Sequence, residues 1–121
     1  MEQQYQAALV AYGMDVAATT ARFGGNENLL LKYLRRFPTD PSYAQLSAAM
    51  QAGDREKIKI ACHTLKGVAG TLGLAPLYGA ASEMMAALRK SDEADMTAQF
   101  AAVEITYRDA LALIQVIDAG V

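Results

Sequence analysis

The sequence contains few of the residues that form most catalytic and metal sites. Its 121 residues include one histidine, one cysteine and no tryptophan. A single cysteine cannot form an internal disulfide, so a disulfide-stapled fold is excluded and a reducing, cytoplasmic environment is expected. A structural zinc site needs about four Cys or His ligands, whereas this chain offers only Cys62 and His63. We therefore predict no metal site and no bound cofactor in the chain itself.

Long apolar runs and an excess of basic residues are also missing. No run of about 20 apolar residues occurs, and no basic segment precedes an apolar one at the N-terminus, so neither membrane insertion nor a signal peptide is expected. The formal net charge of −2, from 11 basic and 13 acidic residues, does not favour nucleic-acid binding. Because 53% of the residues are hydrophobic, the chain is long and apolar enough to fold as one domain.

Composition and spacing favour helices throughout. Alanine, leucine and methionine, which are good helix formers, supply much of the apolar content, and Asn-Gly or Asp-Gly hairpin signals are absent. We predict an all-α fold, an antiparallel up-down four-helix bundle with one or two short accessory N-terminal helices. Residues 1–12 are assigned to an N-terminal extension or linker-like helix, and residues 13–121 to the bundle. The predicted helices cover about 2–12, 16–23, a segment from the Asn26 cap to the break at Pro38, 42–52, 55–72, a segment with Pro76 in its first turn that runs to about 90, and a segment after Ser91-Asp92 that runs to about 118.

Two of these helices carry a clear apolar pattern. The helix after Asn26 has Leu29, Leu30, Tyr33, Leu34 and Phe37 on its apolar face. We expect Ser91-Asp92 to cap the last helix, whose apolar positions form a heptad-like seam. Such a seam lies inside a bundle more often than between two copies, so a monomer is expected. The seam consists of Met96, Phe100, Val103, Tyr107, Ala110, Ile114 and Ile117.

The single histidine lies on the polar side of the helix over 55–72. With about 100° per residue and His63 at zero, the apolar positions fall between about 140° and 260°. They are Ile58, Ala61, Cys62, Leu65, Val68, Ala69 and Leu72. His63 is therefore predicted to face away from the core, and Cys62 to be a buried, inert thiol. A surface histidine without a function is the simplest alternative.

The neighbours of His63 on this face argue against that alternative. Gly67 and Gly70 lie within about 40° of it, although a glycine inside a helix costs about 1 kcal/mol relative to alanine. Helix termination does not explain them, because the apolar pattern continues to Leu72, and close helix packing would place them on the core side. Clearance around the imidazole for a large partner is the better explanation. Lys59 and Lys66 flank the ring, either as an ordinary solvated face or as positive charge for a phosphoryl group.

The residues from His63 to Gly73, HTLKGVAGTLG, resemble the signature of histidine phosphotransfer (HPt) domains, H-x-[LI]-K-G-[AGSV] followed by a glycine. Ala21–Asn26, the Ala52-Gly53-Asp54 turn and Leu77, Ala81 and Glu83 are also similar to the family pattern. The resemblance covers about residues 13–117. It implies a phosphocarrier of multistep His-Asp relays that has no kinase activity and binds no nucleotide.

By this resemblance, His63 accepts a phosphoryl group on Nε2 from a receiver-domain aspartate and passes it to another receiver. The partners implied are response-regulator receiver domains and a hybrid sensor histidine kinase, with Mg²⁺ on the receiver. Lys66 is the first candidate for electrostatic stabilisation, and Lys59 is the second. The candidates for receiver docking and access are Lys59, Ile60, Gly67, Gly70 and Arg89.

The sequence allows more than one interpretation of the His63 ring orientation, of Ile60 and of the function itself. Some family members have a ring-orienting glutamine 22 residues after the histidine, where this chain has Met85, so the partner of Nδ1 is not identified. Ile60 is either partly buried or a docking contact. Two other functions are consistent with the residues: the chain is a docking module that never carries phosphate or, less favoured, an enzyme that uses His63 as a base.

Overall fold

The computed structural model describes residues 1–92 and 95–119, and the described chain is helical with no strand. This confirms the all-α prediction. The helices are α1 (Gln3–Tyr12), α2 (Val16–Arg22), α3 (Glu27–Arg36), α4 (Ser42–Ala52), α5 (Arg55–Thr71), α6 (Ala75–Lys90) and α7 (Thr97–Ala119), with a 3₁₀ turn at Phe37–Thr39.

Side-chain caps fix where three of the helices begin. The carboxylates of Asp15 and Asp54 and the amide oxygen of Asn26 each accept a hydrogen bond from the backbone N–H three residues later, at 3.0–3.2 Å. Each bond satisfies a donor that the first helical turn would leave without a partner. Asp54 thus fixes where α5, the helix that carries His63, begins.

The predicted cap of the last helix at Ser91-Asp92 is wrong. The helix α7 begins at Thr97, whose backbone N–H and hydroxyl both donate to Asp95 Oδ1, at 2.9 and 2.6 Å. The chain leaves α6 in an extended conformation at Ser91. There Arg55 binds the carbonyl oxygens of Leu88 and Ser91, so the segment is tied to the start of α5 instead of beginning a helix. Residues 93 and 94 of the predicted helix lie outside the described residues.

The helices form one bundle around a shared apolar core. α5 packs between α4 and α6, α6 packs on α7, and α1 and α3 also pack on α7. The start of α5 meets the end of α6, where Arg55 binds Leu88, while Gly70 near the end of α5 meets Tyr78. These two helices therefore run antiparallel. α4 contacts α7 through the ring of Tyr43, whose centroid lies 3.9 Å from that of Tyr107.

The heptad-like seam of α7 lies inside this core. Val103, Ala110 and Ile117 are completely buried and Ile114 almost so, which confirms that the seam serves the bundle itself. Tyr5 and Leu9 of α1 are buried in the same cluster. The domain boundary at residue 13 stays a prediction. Among residues 1–92 and 95–119, no helix is long and apolar enough to cross a membrane.

Candidate functional site

The helix α5 presents His63 to solvent on the side opposite the core. Six of its seven predicted inward residues are buried, and the seventh, Val68, is half-buried. His63 itself is exposed, as are Thr64 and Gly67 beside it. The prediction that the lone histidine faces away from the core is thus confirmed.

His63 borders an open groove between α5 and the end of α3. The groove has a volume of about 550 Å³. Its α5 wall includes His63, Thr64 and Gly67, and its other wall consists of Tyr33, Arg36, Phe37 and Asp40. The imidazole is therefore at the edge of a concave surface that carries both a cation and a carboxylate.

The α3 wall of this groove contains groups that sequence reasoning missed. Tyr33 was predicted to lie on the apolar face of its helix, but 41% of it is exposed, and its ring forms part of the groove. The guanidinium carbon of Arg36 lies 5.6 Å from the centroid of that ring, a cation–π distance. Arg36 in the last turn of α3 was visible in the sequence, but nothing local indicated that it would line the same groove as His63.

Lys66 lies on the other side of α5, where a second groove of about 500 Å³ runs toward α2 and α6. Its ammonium nitrogen is 5.8 Å from the centroid of the Tyr78 ring. Arg22 lines the same groove and donates to the carbonyl oxygen of Gly70 at 2.7 Å. Lys59 differs from Lys66, because its Nζ lies 3.8 Å from the Glu56 carboxylate, which offsets part of its charge.

The two glycines of this face have different surroundings. Apart from its chain neighbours and the backbone of its own helix, a Cβ added at Gly67 would meet no atom within 4 Å, so the space beside His63 is open there. A Cβ added at Gly70 would lie 3.0 Å from Cδ2 of Tyr78. The close helix packing that sequence reasoning set aside therefore applies at Gly70, since its missing side chain makes room for α6. The prediction of clearance for a partner fits the surroundings of Gly67 only.

Ile60 and Arg89 stand apart from these contacts. Ile60 is 66% exposed and lines a third groove, of about 540 Å³, together with Ala48, Ala52 and Lys57, so its side chain is not buried against a neighbouring helix. Arg89 lies near the start of α5, because Leu88 is level with Arg55. That end of α5 is about 12 Å along the helix from His63, and Arg89 is not part of the His63 groove.

The orientation of the His63 ring is not fixed by the side chain at position 85. Met85 is half-buried and packs against the core, and its carbonyl oxygen accepts a hydrogen bond from Arg89 Nε at 3.4 Å. Across residues 1–92 and 95–119, none of the hydrogen bonds involves the imidazole.

Cys62 is adjacent to His63 in sequence, but its chemical environment is different. It is completely buried, and its Sγ lies 3.5 Å from the carbonyl oxygen of Ala81. Burial raises the pKa of this thiol to about 11, although the positive charge of Lys66 opposes the shift. The prediction of a buried, unreactive thiol agrees with this environment. Within the described ranges, no group of three or more His, Cys, Asp or Glu side chains could hold a metal ion.

Comparison with known protein families identifies the family of this chain. The family model of the Hpt domain matches residues 31–119. This span is well over half of the chain and contains α5 and both walls of the His63 groove, so the chain belongs to the Hpt domain family. Searches of curated proteins and of solved structures found no match. Domains of this family act in His-Asp phosphorelays of two-component signalling.

Proposed function

We propose that the chain is a phosphocarrier that accepts a phosphoryl group on Nε2 of His63 from a receiver-domain aspartate and passes it to a second receiver. The observation that carries the proposal is the exposure of His63 on α5, opposite the core and beside the open position Gly67. A receiver must bring its aspartyl phosphate directly onto the ring, and this face leaves room for it.

The reaction needs a neutral imidazole whose Nε2 lone pair is available for attack. In the first transfer, Nε2 forms a bond to phosphorus while the bond from phosphorus to the aspartyl oxygen breaks, and the carboxylate leaves with the electron pair. In the second transfer, a carboxylate of the next receiver attacks phosphorus and the imidazole leaves. We expect Mg²⁺ to be supplied by the receiver, so the carrier provides only the nucleophile, the nearby positive charge and access to the ring.

The charges on either side of α5 support this role. Lys66 and Arg36 each lie over a tyrosine ring, one in each groove that adjoins the exposed face. A phosphoryl group on His63 adds negative charge, which cations held nearby would stabilise. Lys59 remains a weaker candidate because Glu56 lies beside it. We therefore propose Lys66 as the principal stabilising residue and Arg36 as a second one.

The docking surface that we propose surrounds His63. Gly67 gives access, Ile60 offers an exposed apolar contact, and Lys59 offers charge. We also propose that the chain is cytoplasmic and that a receiver of a hybrid sensor kinase is the phosphoryl donor. We further propose that α4 to α7 form an up-down four-helix bundle. The carrier is expected to have no kinase activity of its own.

The direct test is transfer from a radiolabelled phosphorylated receiver in the presence of Mg²⁺. The expected product is label on this chain that is labile in acid and stable in alkali, as an N-phosphorylated histidine is. The His63→Gln variant should remain unlabelled and keep its helical circular dichroism. Label that persists in this variant would disprove the assignment of the acceptor.

The alternative function is a docking module that binds a receiver without carrying phosphate. His63→Ala distinguishes the two functions, because the alternative requires it to bind and signal like the wild type. Binding retained with signalling abolished supports the carrier.

A further inference from the structure

The ammonium group of Lys66 has an aromatic ring beside it where the neighbouring lysines of α5 have carboxylates. Lys57 lies 4.0 Å from Asp54 and Lys59 lies 3.8 Å from Glu56. The ion pairs formed among residues 1–92 and 95–119 do not include Lys66, whose nitrogen lies over the ring of Tyr78. A ring face attracts a cation but carries no net negative charge, so the positive charge of Lys66 is not offset there.

The ring of Tyr78 is itself held in place by α5. A Cβ at position 70 would lie 3.0 Å from Cδ2 and 3.1 Å from Cε2 of Tyr78, so one edge of the ring rests on the helix backbone at Gly70. The residue is still 42% exposed, and it lines the groove that also contains Lys66. The ring is therefore a support for the lysine that is anchored on the same helix as His63.

Lys66 is close enough to His63 for its position to matter. Residues three apart on a helix have Cβ atoms about 5–6 Å apart. Burial raises the pKa of the Cys62 thiol, and the positive charge of Lys66 opposes that shift, so this charge already acts on a residue adjacent to His63. A lysine side chain loses about 2 kcal/mol of rotamer entropy when it is fixed. A ring that restricts it beforehand removes part of that cost.

We propose that Tyr78 is a positioning residue for phosphoryl transfer and acts through Lys66. The inference rests on the proposed transfer to Nε2 of His63. As the bond from Nε2 to phosphorus forms and the bond from phosphorus to the aspartyl oxygen breaks, the transferred group keeps its negatively charged oxygens. Tyr78 holds the Lys66 ammonium where it stabilises this charge. Gly70 belongs to the same arrangement, because its missing side chain lets the ring approach α5.

Single-turnover transfer from a phosphorylated receiver with Mg²⁺ tests the proposal. Tyr78→Leu should slow transfer about two- to fivefold, the range expected from the loss of an exposed cation–π contact. Tyr78→Phe keeps the ring and should transfer at nearly the wild-type rate. In a Lys66→Ala background, Tyr78→Leu should cause no further loss, because the group that it positions is already absent. A purely structural role of Tyr78 would instead slow transfer in both backgrounds.

Tyr33 provides a matched control for the loss of an exposed tyrosine. Its exposed fraction, 41%, is nearly the same as that of Tyr78, and its ring lies beside a different cation, Arg36. The effect of Tyr33→Leu on the transfer rate should therefore add to that of Lys66→Ala. Circular dichroism of every variant checks the fold.

Nuclear magnetic resonance tests the contact without a receiver. Protons over a ring face are shifted upfield, so the ε-methylene protons of Lys66 should move downfield in Tyr78→Leu and stay near their wild-type position in Tyr78→Phe. Unchanged Lys66 signals in Tyr78→Leu would overturn the inference. So would wild-type transfer by Tyr78→Leu, or an equal loss in the Lys66→Ala background, and both leave the proposed function intact. A wild type that takes no label would overturn the proposed function and this inference with it.

Discussion

The ammonium group of Lys66 lies over the ring of Tyr78, with its nitrogen 5.8 Å from the ring centroid. The same ring covers Gly70, where an added Cβ would lie 3.0 Å from Tyr78 Cδ2. Tyr78 of α6 therefore restricts the conformations of the Lys66 side chain and also fills the space left by the missing side chain of Gly70. This contact keeps the charge of Lys66 beside the face that carries His63.

Replacing Lys66 with alanine should slow phosphoryl transfer to His63 by about tenfold, which corresponds to about 1.4 kcal/mol of barrier. The reason is the loss of a cation near the phosphoryl charge. Single-turnover transfer from a phosphorylated receiver measures the rate. Lys32→Ala is the matched control, because Lys32 is an exposed lysine on α3. An equal loss in both variants would mean that only overall charge matters.

Replacing Arg36 with alanine should also slow transfer, by about three- to tenfold. Arg36 lines the same groove as His63 and is held over Tyr33. Arg36→Lys should recover part of the rate, since it keeps the charge but not the stacking geometry of the guanidinium. If Arg36→Ala transfers like wild type while Lys66→Ala does not, the stabilising charge comes from the Lys66 side of α5 alone.

The two interior glycines of α5 should respond differently to alanine. At Gly67 no atom beyond its chain neighbours and its own helix backbone lies within 4 Å of the new Cβ, so Gly67→Ala should raise the free energy of unfolding by about 1 kcal/mol through helix propensity. At Gly70 the gain should be smaller or absent, because the Tyr78 ring must move. Urea denaturation of both variants measures the difference, and equal gains would contradict the packing argument.

A larger side chain at Gly67 tests the access of a receiver to His63 separately from the stability of the fold. Gly67→Gln should block transfer while leaving helicity nearly unchanged, because glutamine extends into the open space that a receiver must enter. The measurements are transfer rate and circular dichroism. Loss of fold together with transfer would show that this glycine is structural.

Sequence reasoning predicted the orientation of His63 because that orientation depends on local quantities. The Asp54 cap sets the start of α5, and 100° per residue then separates the buried Leu65 from the exposed His63. Tyr33 and Arg36 were missed because their position depends on how α3 lies across the bundle. Gly70 was misjudged for a similar reason, since the register between α5 and α6 brings Tyr78 onto it.

Gly73 should tolerate substitution far less than Gly53. Both have positive φ, +71° and +64°, but only at Gly73 would a Cβ collide with another side chain, lying 2.9 Å from Cβ of Thr19. Thr19 is buried, and its hydroxyl donates to the carbonyl oxygen of Asp15 at 2.8 Å, so it cannot easily move. Gly53→Ala should cost about 1 kcal/mol of stability from backbone strain, whereas Gly73→Ala should cost about 3 kcal/mol.

A double-mutant cycle isolates the collision at Gly73. Thr19→Ala should recover part of the loss caused by Gly73→Ala, giving a coupling energy well above the error of urea denaturation. The part of the destabilisation that comes from the positive φ at position 73 should remain in the double variant. Independent, additive effects of the two substitutions would show that the collision contributes nothing.

Cys62 should react with a thiol reagent very slowly in the folded protein. Burial disfavours the thiolate and raises the pKa of Cys62 to about 11, so at pH 8 the thiolate fraction is about 100-fold below that of a thiol with pKa near 9. The labelling rate should rise with pH toward 11 and increase sharply in denaturant. Ala86→Cys provides an exposed thiol on α6 as the control. Fast labelling of folded wild type would mean that α5 and α6 separate readily, because access to Sγ requires the contact with Ala81 to open.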